Sequence, residues 1–146
     1  MPEPYVCTIP AVPPSLNVYT RMHWSKQARV REAFQELVWA VLNEKGNRCP
    51  RGLERVELRA VIQHTTSRRR DSDNAGATLW KFVQDVLVRE GVIPDDTADR
   101  CHALPPKLVV GDVEQTILIV IPDHDCIYER RVCDTKSRCI RCGGTR

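Results

Sequence analysis

The chain has 146 residues, 42% of them apolar, and a formal net charge of +3. This is enough for one folded domain with its own core, but the small charge excludes any argument for a nucleic-acid partner from the total alone. No targeting signal and no apolar run near the roughly 20 residues of a membrane span is present, so we expect a soluble cytoplasmic protein.

The apolar pattern predicts the order strand, helix, strand, helix, strand, strand. The predicted strands are "YVCTI" (5–9), "VELRAVIQ" (56–63), "RCHAL" (100–104) and "TILIVI" (116–121). The last strand is apolar on both faces and should lie centrally in its sheet. The proline-rich residues 10–24 are expected to be irregular, with polar tips at Asn17, Tyr19, Arg21 and His23.

Two helices follow from apolar residues at helical spacing. The first should begin with Ser25 as its N-cap and stop near Gly46. The second has its apolar stripe from Leu79 to Leu87 and should end near Gly91. Lys81 lies about 200° around this helix from Leu79 and should point away from the core.

The segment "RRRDSDN" (68–74) contains the densest cluster of charge. In an extended chain, the carboxylates of Asp71 and Asp73 would point to the same side and share Mg²⁺ or Mn²⁺. Asp96, or its neighbour Asp95, could add a third carboxylate. The three arginines, Arg68, Arg69 and Arg70, would bring a polyanion to a metal site that would otherwise repel it.

A structural interpretation of the same residues stays open. Asp and Asn are preferred helix caps, and a short acidic pair occurs in many loops without function. Lys81 fits either a solvated surface lysine or a group that stabilises charge at a scissile phosphate.

"RRRDSDN", the helix "LWKFVQDVLVREGVIPDD" and the early "PPSLNVYTR" together resemble the RusA family of Holliday-junction resolvases, metal-dependent endonucleases common in phages and prophages. The resemblance covers about residues 5–121. It implies an α+β fold with a mixed four-stranded sheet and two main helices. It also implies a homodimer that cuts symmetric strands of a four-way DNA junction.

Carried over by position, the resemblance implies that Asp71, Asp73 and Asp96 bind the metal and that Lys81 is the helix lysine of the family. The four residues "AGAT" (75–78) add about one helical turn to the family pattern, so Lys81 matches only if they are an insertion. The remaining residues implied to contact DNA are Asn17, Tyr19, Arg21 and Asn74, together with the three arginines.

Residues 122–146 lie outside the resemblance and form a cysteine-rich basic tail after the body of residues 1–121. Cys126, Cys133, Cys139 and Cys142 could hold Zn²⁺, and either His124 or Cys101 is an alternative to one of these ligands. The alternative is a basic tail with reduced cysteines that still contacts phosphate.

Two hypotheses result. The first is a Mg²⁺-dependent endonuclease that resolves four-way junctions and other branched DNA, selecting shape more than sequence. The second is a non-catalytic DNA-binding or regulatory protein that uses the basic loop and a zinc tail.

Overall fold

Five strands form one mixed sheet in the computed structural model, which describes residues 3–123. The strands are β1 (Tyr5–Ile9), β2 (Arg55–His64), β3 (Cys101–Ala103), β4 (Lys107–Val110) and β5 (Gln115–Asp123). The helices are α1 (Leu16–Thr20), α2 (Trp24–Leu42) and α3 (Ser72–Arg89). The fold is therefore α+β with two main helices, as expected.

Strand β5 lies in the centre of the sheet, which confirms the prediction from its two apolar faces. It pairs antiparallel with β1 on one side and with β2 on the other. Strand β2 alternates as predicted, with Val56, Leu58, Ala60 and Ile62 buried. These residues pack in one core with the buried stripe of α3, from Leu79 to Leu87.

The sheet has a fifth strand that the sequence did not predict. Strands β3 and β4 both run parallel to the same edge of β2, β3 beside its start and β4 beside its end. Pro105 and Pro106 separate them, and because proline has no N–H to donate, they interrupt pairing along that edge. The predicted connection after "RCHAL" therefore contains a short strand.

The proline-rich segment is not wholly irregular, because it contains α1. Ser15 caps this helix by accepting a hydrogen bond from the amide of Val18 at 3.3 Å, and the prolines precede the cap. Tyr19 is not a polar tip: its ring is buried and packs edge-on against Phe82 at 5.3 Å. Helix α2 also differs from expectation, since His23 and not Ser25 is its N-cap.

Helix α3 begins seven residues before its apolar stripe, with Asp71 as N-cap. The "AGAT" segment is therefore a regular turn of this helix, with Ala75, Gly76 and Thr78 buried. The hydroxyl of Thr78 donates to the carbonyl oxygen of Pro14, which attaches the chain before α1 to α3. At the other end, Gly91 adopts φ 74° and closes the helix as predicted.

Replacing Gly76 by alanine should destabilise the fold, although alanine favours helices. A Cβ at this position would lie 2.8 Å from Cδ of the rigid Pro106 ring. We expect overpacking of about 1–3 kcal/mol to exceed a helix-propensity gain of about 1 kcal/mol at most. Urea unfolding measures the net change, with Ser72→Ala in the same helix as the control. A more stable Gly76→Ala protein would show that the Pro106 loop moves easily.

Within residues 3–123, none of the helices combines the length and apolar character needed to span a membrane.

Candidate functional site

A cavity of about 440 Å³ lies where the end of β2, the following loop, α1 and the start of α3 meet. Six residues predicted as site residues line it: Asn17, Arg68, Arg69, Arg70, Asp71 and Asn74. Asn17 is brought to the others because the buried "AGAT" turn holds the chain at Pro14. The fold therefore brings Asn17 and residues of the segment 68–74, which are far apart in the sequence, to one basic pocket.

The three arginines have different surroundings. The guanidinium of Arg70 donates to the carbonyl oxygens of Thr66 and Arg68 at 3.0 and 2.9 Å, and to the hydroxyl of Thr66 at 2.7 Å. Arg70 thus shapes the loop. Arg68 and Arg69 are exposed, and no hydrogen bond or ion pair of their guanidinium groups is found in the described part of the chain. They are the arginines best able to receive an anion.

Asp71 is first of all a helix cap. Its Oδ1 accepts from the amide of Asp73 at 2.9 Å, and its Oδ2 accepts from the side-chain amide of Asn74 at 3.3 Å. The structural interpretation of this motif is therefore confirmed for Asp71. The carboxylate still borders the basic cavity, so capping and ligand binding are compatible.

Asp71 and Asp73 do not share a side by strand alternation, as the extended-chain argument predicted. Asp73 lies in the first turn of α3 and borders a separate depression with Trp80 and Pro105. Asp71 has an extended backbone as the N-cap, but the chain is helical from Ser72, so the two-residue alternation of a strand does not continue to Asp73. The two carboxylates are neighbours on the helix end but face different depressions.

Asp96 lies at the other end of the molecule. Its electrostatic influence falls on Cys101, which pairs with Val56 at the start of β2, whereas the cavity lies beyond the end of β2. Helix α3, with 18 residues, spans about 27 Å between Asp71 and this turn. The neighbouring Asp95 caps its own turn by accepting from Thr97, which holds the pKa of Asp95 below its ordinary value. One chain does not bring Asp96 to Asp71.

Lys81 is exposed on α3, as predicted, but it is about 12 Å along the helix axis from Asp73 because eight residues separate them. Its Nζ lies 6.0 Å from the centre of the Tyr19 ring, the outer limit of a cation–π contact. Arg21 is the C-cap of α1, two residues after Tyr19, and its side chain is exposed. Lys81 therefore lies beside α1, and Tyr19 is a buried residue that packs against the core.

The donor chemistry of the pocket suits a hard divalent cation, although no three ligating side chains converge. Among residues 3–123, no group of three His, Cys, Asp or Glu side chains is close enough to hold a metal. Mg²⁺, however, takes only one or two protein carboxylates and completes its shell with waters and substrate phosphate. Asp71, which borders the cavity, can supply one such carboxylate, and the arginines supply the place for the phosphate.

The sequence reasoning missed His64, which also lines the cavity. The signal was available, because His64 continues the buried alternation of β2 at its last position. A histidine at an apolar position, four residues before an arginine run, indicates a polar environment at the end of the strand.

The described cysteines are buried free thiols, at positions 7, 49 and 101. Burial raises the pKa of the Cys101 thiol to about 11, while Gln84 donates weakly to its sulfur at 3.5 Å. Since zinc binds thiolate, this environment disfavours Cys101 as the replacement ligand. His124 and the predicted zinc ligands Cys126, Cys133, Cys139 and Cys142 lie outside the described residues.

A scan of the sequence against protein-family models finds no match, and a search of curated proteins finds no relative.

Proposed function

We propose that the protein is a divalent-metal-dependent endonuclease that cuts branched DNA such as four-way junctions. The observation that carries this proposal is the cavity that joins exposed Arg68 and Arg69 to the carboxylate of Asp71. Metal-dependent phosphodiester cleavage needs both features, a place for a phosphate and an oxygen ligand for a cation beside it. The resemblance of "RRRDSDN" and its surroundings to junction resolvases supports the choice of substrate.

In this mechanism Arg68 and Arg69 bind phosphate oxygens, while Asn17 and Asn74 supply amide groups at the same cavity. Arg70 keeps the loop in shape through its contacts with Thr66. Asp71, at the edge of the cavity, would hold Mg²⁺, or Mn²⁺ in its place, and Asp73 would join it only after its side chain turns from its own depression toward the cavity. The bound cation would offset negative charge on the phosphoryl group during displacement.

Asp96 can join such a site only from a second chain, because about 27 Å of helix separates it from Asp71 within its own chain. A homodimer, which the family resemblance implies, would place the acidic turn of one subunit at the basic pocket of the other. Two such sites would then cut two strands of a symmetric junction.

The direct test is cleavage of a synthetic four-way junction by the purified full chain with Mg²⁺ or Mn²⁺. The proposal requires metal-dependent incision near the branch, and a linear duplex of the same sequence is the control. A protein that binds the junction but never cuts it, with either metal, is the non-catalytic DNA-binding protein of the second hypothesis.

Neutralising Arg68 or Arg69 should weaken DNA binding and its salt dependence, because each contacts phosphate. For Arg68→Gln and Arg69→Gln we expect the slope of log K against log salt to fall by about 0.9 per lost contact. Arg70→Gln should instead lower thermal stability of the loop, because it removes three hydrogen bonds. Fluorescence anisotropy over a salt series measures the slopes, with exposed Lys45→Gln as control. Unchanged slopes in both variants would place the DNA elsewhere.

The cysteine tail should contain about one zinc ion per chain if its four cysteines form a site. Protein purified without chelator should show this zinc by elemental analysis, and Cys142→Ser should lose most of it. Cys101→Ser is the matched control, since its buried thiol should not contribute. A parent protein without zinc would support the reduced basic tail.

A further inference from the structure

His64 is a polar side chain of the cavity to which the proposed mechanism assigns no task. It ends β2, is only 9% exposed, and its backbone carbonyl accepts from the amide of Gly111 at 2.8 Å. This pairing fixes the strand end, while the side chain lines the cavity together with Arg69 and Asp71. The imidazole is therefore held beside the place where a phosphate would bind.

The orientation of the ring follows from its neighbours. Nδ1 lies 3.9 Å from Oε1 of Glu114, which is half exposed and precedes β5. Across the described residues no hydrogen bond of the imidazole is found, and no fully buried side-chain nitrogen or oxygen lacks a partner. Nε2 must therefore retain some access to solvent, and the cavity is an open space that His64 lines.

The charges around His64 favour the neutral ring. Burial and the positive charge of Arg70 lower the pKa of His64, whereas Glu114 acts in the opposite direction. The imidazole is therefore uncharged at neutral pH. Because the carboxylate of Glu114 faces Nδ1, it favours the tautomer with the proton on Nδ1 and leaves the lone pair on Nε2.

We propose that His64 is the general base of the pocket and accepts, on Nε2, a proton from the water that attacks a bound phosphodiester. This inference rests on the proposed endonuclease function. The water oxygen forms the new bond to phosphorus, and the bond to one nucleoside oxygen breaks with its electron pair. The proton on Nε2 is returned through solvent, the leaving oxygen becomes a hydroxyl, and one water is consumed. Glu114 is a positioning residue that acts through the ring.

The main test is His64→Asn in the full chain, which can keep a polar group near Glu114 but has no atom at the place of Nε2. Single-turnover junction cleavage should fall on the order of 100-fold, within the usual range for general-base catalysis. The affinity for the junction should change little, because His64, unlike Arg68 and Arg69, is not proposed to bind a phosphate. His102→Asn, an exposed histidine on β3, is the matched control.

A second variant distinguishes a catalytic role of His64 from a purely structural effect at this buried position. His64→Ala leaves space in the cavity, and added imidazole should then raise its cleavage rate in a concentration-dependent manner. Glu114→Gln should move the acid limb of the rate–pH profile to lower pH, because it removes the carboxylate that raises the His64 pKa.

The outcomes separate the two proposals. If the parent cuts junctions and His64→Asn cuts at the parental rate, the role of His64 is overturned while the endonuclease function stands. If His64→Asn does not fold, imidazole rescue of His64→Ala decides: recovery supports the role and no recovery overturns it. If the parent cuts no DNA under any metal, the proposed function fails first and the role of His64 fails with it.

Discussion

Asp71→Asn is expected to abolish junction cleavage while leaving junction binding almost intact. Asparagine keeps an oxygen that can accept from the amide of Asp73, and it is as good a helix cap as aspartate. The fold and the arginines should therefore survive. What is lost is the negative oxygen ligand, so we expect a rate loss on the order of 100-fold or more from weakened metal binding.

The measurement is single-turnover cleavage at saturating protein, with binding followed on the same junction by gel shift. Asp85→Asn, exposed on the same helix, is the matched control for loss of one charge. High Mn²⁺ should restore part of the activity if the defect is metal affinity. An Asp71→Asn protein that cuts normally would contradict the assignment of the carboxylate, and one that no longer binds DNA would show that Asp71 has a structural role in the loop.

A heterodimer of one Asp71→Asn subunit and one Asp96→Asn subunit is expected to cut, although both parental homodimers are inactive. If each site takes Asp71 from one chain and Asp96 from the other, this heterodimer has one intact site and one site with both changes. With one intact site where the wild-type dimer has two, it should nick one strand of the junction and should not cut both. The physical reason is the length of α3, which prevents the two residues of one chain from meeting.

The heterodimer can be isolated by co-expression with two different tags and assayed on a junction with labelled strands. A wild-type subunit paired with the Asp71→Asn, Asp96→Asn double variant is the reciprocal control, because a site shared between chains predicts that this pair is inactive. If the first heterodimer is inactive and the second still nicks, each chain builds its own site. If no heterodimer forms, the shared-site arrangement is wrong.

Much of the fold could be predicted because the sequence patterns are local. The two-residue alternation of β2 and the stripe from Leu79 to Leu87 each report one buried face, and the structure confirms both. Strand β4 could not be found this way, since its four residues pair at an edge and neither face is fully buried. Helix α1 was hidden by prolines that stand before its cap and not within it.

The candidate site was predictable in its composition but not in its geometry. The arginines, Asn17 and Asp71 do meet at one cavity, although nothing in the spacing of Asn17 and Asp71 showed that the Thr78–Pro14 contact would bring them together. The extended-chain argument for Asp71 and Asp73 was wrong because the helix begins at Ser72. The separation of Asp96 from Asp71 follows from the length of α3, and that length depends on the residue at which α3 begins.

The "AGAT" turn of α3 also limits how this chain can change in length. Inserting or deleting four residues rotates the rest of the helix by only about 40° and shifts it by about 6 Å, whereas two residues would rotate it by about 200°. A two-residue change would turn Leu79, Phe82 and Val83 from the core to the solvent. Length variation between Asp73 and Leu79 should therefore occur in steps of nearly one turn, and each step would move the Asp71 end of the helix relative to Lys81 while the core stays packed.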